Sequence, residues 1–299
     1  MYRNIDISII TVNYNGLDDT CSLINSIPCS NPYRTEVIVV DNASRNNEAA
    51  ILAQRYPWIK VIRSQQNLGF AGGNNLGIKS ARGKYLLFIN NDTTISRINF
   101  EALVGRLESS EKIGGVSPKI RFSLGDRHLQ YAGYTQLSPI TLRNMAIGFG
   151  EQDHGQYDKA HPTPYLHGAA MLVKRSAIDK AGNMPVCYFL YYEELDWSVR
   201  LREAGYKLWY EPDCVVFHKE SQSTGMDSPL KNYYSTRSRL LFACRNLPAH
   251  TVALSIGYQI AVAIPVNILR QLRRKRFDNA RSVLRGLLHF IFKITKDKL

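Results

Sequence analysis

Three groups of side chains in this chain have the types and spacing for chemistry. Asn90, Asn91 and Asp92 follow directly on the apolar run Tyr85, Leu86, Leu87, Phe88 and Ile89. A carboxylate and two amides at the end of a buried strand can hold a cation and the phosphates it neutralises. They can equally close the strand as an Asn/Asp turn, with Asp92 capping the next helix. Glu193, Glu194 and Asp196 put three carboxylates close together ahead of a helical segment. Acidic residues suit a helix N-terminus, but carboxylates this close repel, which raises at least one pKa and suits a general base. Asp41 ends a second apolar run and His218 a third. A lone histidine there is more often an ordinary surface residue than a ligand, so its value depends on its neighbours.

The elements that would position these groups alternate. Residues 5–12, rich in β-branched side chains, read as a buried strand ending in Asn13, Tyr14, Asn15 and Gly16. A short helix over 17–27, a strand over 36–40, helical spacing over 49–56 and a short strand over 60–63 follow. Next comes the glycine-dense segment 67–77, which opens a helix toward Ala81, with Gly83 as its stop before the strand 84–89. This βαβαβαβ order predicts a parallel sheet covered on both faces, with its strand-end loops in one crevice. Beyond it lie a helix over 99–110, a strand over 115–122 and a long irregular region over 123–164, read as a variable loop of the kind that selects substrate. A strand and helix ending at Gly182 follow, then a helix from Glu193 to Ala204 with Gly205 after it. Residues 207–210 and 214–217 read as a hairpin-like pair around Glu211, Pro212 and Asp213.

With 299 residues, 44% of them hydrophobic, the chain can bury a sizeable core. The net charge of +13 is concentrated at the end, where Arg270, Arg273, Arg274, Lys275, Arg276, Arg281, Arg285, Lys293, Lys296 and Lys298 meet only Asp278 and Asp297. These cations interleave with aliphatic residues, not stacking aromatics, which argues against a nucleic-acid partner. Five scattered cysteines without a CxxC pair indicate neither a disulfide framework nor a zinc site, in keeping with a reducing cytoplasm. The N-terminus has strand pattern from the start, not that of a secretory signal. Gly69, Gly72, Gly73 and Gly77 lack GxGxxG spacing and follow the third strand, which argues against a dinucleotide oxidoreductase.

In order and spacing these segments resemble the inverting glycosyltransferases of family 2, of GT-A fold. TVNYNG is similar to that family's first-strand nucleotide turn, VVDNAS to its pyrimidine-reading aspartate, NLGFAGGNNLG to its glycine-rich loop and FINNDT to its metal motif. YYEELDWSVRLREAG resembles its catalytic acidic motif, and EPDCVVFH the segment that supplies a late histidine ligand. The likeness spans residues 5–245, and the wording NLGFAGGNN with GAAML is most similar to the rhamnosyltransferase branch. It departs from the family in having one carboxylate, Asp92, in the metal motif, and Glu193-Glu194 where Glu-Asp is usual.

The resemblance implies a Rossmann-like mixed sheet flanked by helices over residues 1–228 and a C-terminal helical region over 229–299. It implies a nucleotide-sugar site at Thr11, Asn13, Asp41, Asn67, Gly69, Asn75, Asn91 and Arg237, with Asp41 accepting the imide N–H of uracil or thymine from a UDP- or dTDP-sugar. Mg2+ or Mn2+ would sit on Asp92 and His218, and Glu194, with Glu193 as the alternative, would be the base. Asp196 and Arg200 would either orient the base or form an i,i+4 surface pair. With Asp41, the glycine loop, Glu194 and His218 converging on one crevice, the metal reading of Asp92 is preferred over the turn.

The run 251–269 has no charged residue and roughly the length of a bilayer span, though Gln259, Pro265 and Asn267 make it a poor one. Together with the basic amphipathic segment 281–296 it reads as a module for an anionic membrane surface. The implied setting is the inner face of the plasma membrane, with a lipid-linked oligosaccharide acceptor; an oligomerisation hairpin giving a homodimer is the alternative.

Overall fold

The computed structural model describes residues 5–28, 32–97, 99–123, 128–219 and 227–294. The first half follows the expected alternation: β1 (Ile7–Asn13), α1 (Leu17–Ser26), β2 (Thr35–Asp41), α2 (Glu48–Arg55), β3 (Lys60–Arg63), α3 (Gly69–Ser80) and β4 (Tyr85–Ile89). Then come β5 (Thr93–Arg97), α4 (Phe100–Glu108), β6 (Ile113–Phe122), β7 (Leu129–Tyr131), β8 (His161–Pro162) and β9 (Ala170–Lys174). The chain continues through α5 (Arg175–Ala181), α6 (Glu193–Glu203), β10 (Lys207–His218), α7 (Pro229–Asn246), α8 (Ala249–Tyr258), α9 (Ile264–Arg273) and α10 (Phe277–His289).

All ten strands join one sheet, whose main path runs β3-β2-β1-β4-β9-β6-β10-β5. β3, β2, β1 and β4 are parallel, as their helical crossovers require, whereas β9 runs antiparallel to both β4 and β6. Every residue of β4 is buried, between two apolar layers, which explains its unbroken hydrophobic run. Full burial of each large side chain there contributes about 1.5–3 kcal/mol. The site therefore hangs on the strand where the parallel half of the sheet meets the antiparallel half.

Two expectations are corrected. Asp92 caps no helix, because β5 follows it directly, and the cap of α4 is Asn99, whose side chain accepts from Ala102 N–H. Residues 207–218 form one strand and not a hairpin. Between Glu211 and Val215 β10 gains three residues on β6, a bulge in which Glu211 accepts from Arg106 Nε at 3.0 Å and from Asp213 N–H at 3.4 Å. Pro212 lacks an amide donor, and the bulge spares it a place in the ladder.

The interval read as a loose loop is more ordered than its composition suggests. Leu129, Tyr131 and Ala132 are fully buried, and β7 pairs with β6. Four of the cysteines, Cys21, Cys187, Cys214 and Cys244, are free thiols, and Cys29 lies outside the described residues. The boundary at 228/229 is bridged closely: α7 sends Arg237, Ser238, Arg239, Arg245 and Asn246 into the loop and first turn around 187–196.

Candidate active site

A cavity of about 590 Å³ opens at the carboxyl ends of β1, β2 and β4. Its wall includes Tyr14, Asn42, Asn67, Gly69, Asn91, Asp92, His167, Glu193, Glu194, His218, Lys231 and Tyr234. Register brings the metal-capable pair together: β5 and β10 pair antiparallel with Thr93 opposite His218, which sets Asp92 beside the imidazole. Asp92 Oδ1 lies 3.1 Å from His218 Nε2. On the other side of the ring, Nδ1 is 2.9 Å from Gln130 Oε1. With that carboxamide oxygen accepting from Nδ1–H, Nε2 carries the lone pair.

Asp92 Oδ1 is buried without a hydrogen-bond partner, so two lone-pair atoms face each other. A divalent cation suits this arrangement, since cis ligands about 2.1 Å from an octahedral ion stand about 3 Å apart. Carboxylate and phosphate oxygens are hard donors that suit Mg2+ or Mn2+, and a single imidazole is tolerated by Mn2+. Among the described residues no three His, Cys, Asp or Glu side chains cluster as ligands, so an ion here would take two from the chain and complete its shell with phosphate oxygens or water. Asn90 keeps its amide 3.5 Å from Nε2, and Asn91 donates to Thr20 Oγ1 at 3.1 Å.

The first-strand wall is held by its own hydrogen bonds. Asn13 donates to Asp41 Oδ1, Ser44 Oγ and Glu48 Oε2 and accepts from Thr20 Oγ1. Asn42 donates to Asn67 Oδ1 and Gly69 O and accepts from Leu68 N–H, which ties β2 to the glycine loop. Gly69 has φ +70°, and a Cβ there would meet Phe189 O at 2.3 Å. The same carbonyl accepts from Phe70 N–H, so the glycine loop seats the loop that precedes α6.

That second loop is built differently. Phe189, Tyr191 and Tyr192 all have positive φ, an unusual density of strain for aromatic residues. It delivers Glu193 and Glu194 to the cavity at the start of α6, where neither caps the helix. Burial, and then the charge of Glu194, push the Glu193 carboxyl well above the usual range; burial also raises Glu194. Glu193 Oε2 is buried with no partner, whereas Glu194 is half-buried at the cavity wall.

Several residues expected in the site have other duties. Arg237 is buried and donates to the carbonyls of Tyr188 and Cys187 at 2.7 and 2.6 Å, so its guanidinium supports the strained loop and is absent from the cavity wall. Asn75 faces away, exchanging hydrogen bonds with the backbone of Met184. Thr11, Asn13 and Asp41 are buried behind the wall, although Asp41 Oδ2 and Thr11 Oγ1 lack partners. Tyr14 and Asn42 form the wall there.

Asp196 and Arg200 do not pair. Asp196 Oδ2 accepts from Tyr188 Oη at 2.7 Å, Arg245 Nε at 2.9 Å and Asn246 Nδ2 at 3.0 Å, while Arg200 donates to the carbonyls of Ala181 and Asn183.

Sequence reasoning missed Gln130 and Tyr134 in the irregular region, and His167 just before β9. His167 accepts from Ala169 N–H at Nδ1 and stacks on Tyr134, and burial followed by the charge of His218 lowers its pKa to about 3. The only signal was the juxtaposition of polar and aromatic residues in HLQYAGY and YLHGA, too short for periodicity to classify.

The chain is 23% identical over 239 residues to the N-acetylglucosaminyl-diphospho-decaprenol L-rhamnosyltransferase of Mycobacterium tuberculosis, spanning 73% of this chain and 78% of that protein. It is 24% identical over 292 residues to the low-salt glycan biosynthesis hexosyltransferase Agl10 of Haloferax volcanii, spanning 96% and 91%. A solved structure of the mannosyltransferase PcManGT from Pyrobaculum calidifontis, in complex with GDP-Man and Mn2+, superposes with a TM-score of 0.57 at 14% identity, covering 97% of this chain and 88% of that one. The family model described as Glycosyl transferase family 2 matches residues 8–182, more than half of the chain. With its mixed sheet and flanking helices the chain has the GT-A fold, and it belongs to glycosyl transferase family 2.

Proposed function

We propose that the protein is an inverting, metal-dependent hexosyltransferase. It moves a sugar from a nucleotide diphosphate to a lipid-linked glycan acceptor on the cytoplasmic face of the membrane, in surface-polysaccharide synthesis. The observation that carries this reading is one cavity lined by both the Asp92–His218 pair and the two glutamates. The L-rhamnosyltransferase relative supports a rhamnosyl donor; dTDP-L-rhamnose is the favoured one, with a UDP-hexose or UDP-N-acetylhexosamine as the alternative.

The donor's base lies against Tyr14 and Asn42, with the unpartnered oxygen of Asp41 behind them for an imide N–H, and its ribose by Asn67 and Gly69. Asn91 and Lys231 face the diphosphate. Asp92 and His218 would hold a divalent cation, which would supply charge neutralisation for the departing nucleoside diphosphate. Glu194 takes the proton from an acceptor hydroxyl as that oxygen attacks the anomeric carbon and the bond to the diphosphate breaks, a single displacement that inverts the centre. A positioned base of this kind contributes about 10²–10⁴-fold. Glu194 is preferred to Glu193 because it is half-buried at the wall, within reach of an incoming hydroxyl. Its raised pKa places the acid limb of kcat/KM above the usual carboxylate range, with activity rising as pH rises through it.

The test is native mass spectrometry against a panel of UDP- and dTDP-sugars with Mn2+, followed by product analysis with a lipid-diphosphate acceptor. Selective binding and a transferred sugar of inverted configuration are the expected results. Binding without hydrolysis or transfer of any donor would show a non-catalytic nucleotide-sugar module instead.

A further inference from the structure

We propose that the C-terminal helices form an in-plane membrane anchor, with the helix Ala249–Arg273 lying along an anionic leaflet instead of crossing it. The proposal rests on the reading of a membrane-held acceptor and names the surface that would bring the cavity to it. By length and composition the helix could span a bilayer, with 25 residues and an 18-residue stretch of mean hydropathy 1.8. Its polar residues decide otherwise.

Ser255 donates to Ile140 O, Gln259 donates to Thr141 O at 3.0 Å, and Gln271 donates to Asp227 Oδ1 at 3.2 Å. Ile264, between them, is buried against Leu240 and Val283. From Ser255 to Gln271 runs about 24 Å of helix, so one stripe is docked on the protein body over most of its length. The π-helical turn Gln259–Ala263 takes up the odd spacing of five between Gln259 and Ile264, which keeps all four residues on one side. Crossing the bilayer would either break these contacts or draw loop 138–142 and Asp227 into hydrocarbon, where their polar groups have no partners.

The opposite stripe is apolar and exposed: Leu254 at 62%, Val262 at 44%, Val266 at 58% and Leu269 at 53%, with Phe277 at 65% just beyond. A patch this size calls for an occupant. Its chemistry follows from what adjoins it. Arg270, Arg273, Arg274 and Lys275 are exposed at the end of the helix, and neither half of it holds a carboxylate. Apolar residues beside a dense cationic turn complement acyl chains beside anionic headgroups.

The test uses full-length protein and vesicles of phosphatidylcholine, with or without phosphatidylglycerol, floated without detergent. Flotation with the anionic vesicles alone is expected, and its loss in a Val266→Asp, Leu269→Asp double variant. An Arg273→Ala, Arg274→Ala pair weakens partition about thirtyfold, or about 2 kcal/mol at about 1 kcal/mol per cation. Val262→Trp, at mid-helix, is quenched best by lipids brominated near the headgroup. Strongest quenching from bromines at the acyl terminus would overturn the in-plane geometry in favour of a span. Protein that stays at the bottom of the gradient and scatters light as a dimer would overturn the membrane as occupant in favour of a second copy. Donor binding, measured on the same protein without vesicles, reads the cavity alone, so failure of that reading is distinguished from failure of this one.

Discussion

The two walls of the cavity are held together by opposite means. On the nucleotide side, Asn13 makes four hydrogen bonds and Asn42 three, all between elements of the parallel half-sheet. On the acidic side, three aromatic residues have positive φ, Glu193 Oε2 and Asp196 Oδ1 are buried without partners, and support comes from outside, through α7. A network that ties three elements together and leaves only Asp41 Oδ2 and Thr11 Oγ1 open suits binding. Buried carboxyls behind a strained loop persist only where their surroundings over-determine them, and the raised proton affinity of Glu193 and Glu194 suits a base. The first wall is thus tied mainly by its own side chains, and the second draws its support from α7.

The largest effect that would break this contrast is at the base. Glu194→Gln should lower kcat by about 10²–10⁴ while circular dichroism and Tm stay unchanged; full activity would remove Glu194 from the mechanism. Next, Asp92→Asn should weaken Mn2+ binding in calorimetry by at least about 10–100-fold, since even residues that only orient metal ligands cost that much. Unchanged affinity would place the ion elsewhere.

A smaller effect is expected at the support. Arg245→Ala removes a charge-assisted hydrogen bond to buried Asp196, worth about 1.5–3 kcal/mol. It should lower Tm and kcat together and leave donor affinity alone, because Arg245 holds Asp196, while Asn13 and Asn42 hold the nucleotide wall with no bond from α7. Loss of donor affinity would show that the walls are not independent.

The smallest effect, at Glu193, reverses sign. Its folded-state pKa is raised, so its contribution to stability is present below the unfolded value and is lost as pH rises through the folded one. Glu193→Gln should therefore raise Tm at pH 8 and leave it unchanged near pH 4, with most activity retained. A collapse of activity in this variant would make Glu193 the base.

Local chemistry shaped much of this molecule in a way that can be read directly. The apolar runs of β1, β2 and β4, the glycine loop that opens α3 and the acidic start of α6 each carry their own periodicity or punctuation, so their existence and order are legible from neighbouring residues alone. Parallel βα units also bring the ends of β1, β2 and β4 to one edge, which puts Asn91 and Asp92 there, whereas His218 and the two glutamates were expected beside them only from the family likeness. What only tertiary structure decided is which partner each polar group takes. Arg237 finds two carbonyls instead of a diphosphate, Asp196 finds Arg245 instead of Arg200, and β10 absorbs Pro212 in a bulge instead of turning back. Gln130, far off in sequence, stands 2.9 Å from Nδ1 of His218, on the side of the ring away from Asp92. Propensity acts over a few residues, whereas a buried donor is satisfied by whatever acceptor packing delivers, and that choice is made between segments distant in the chain.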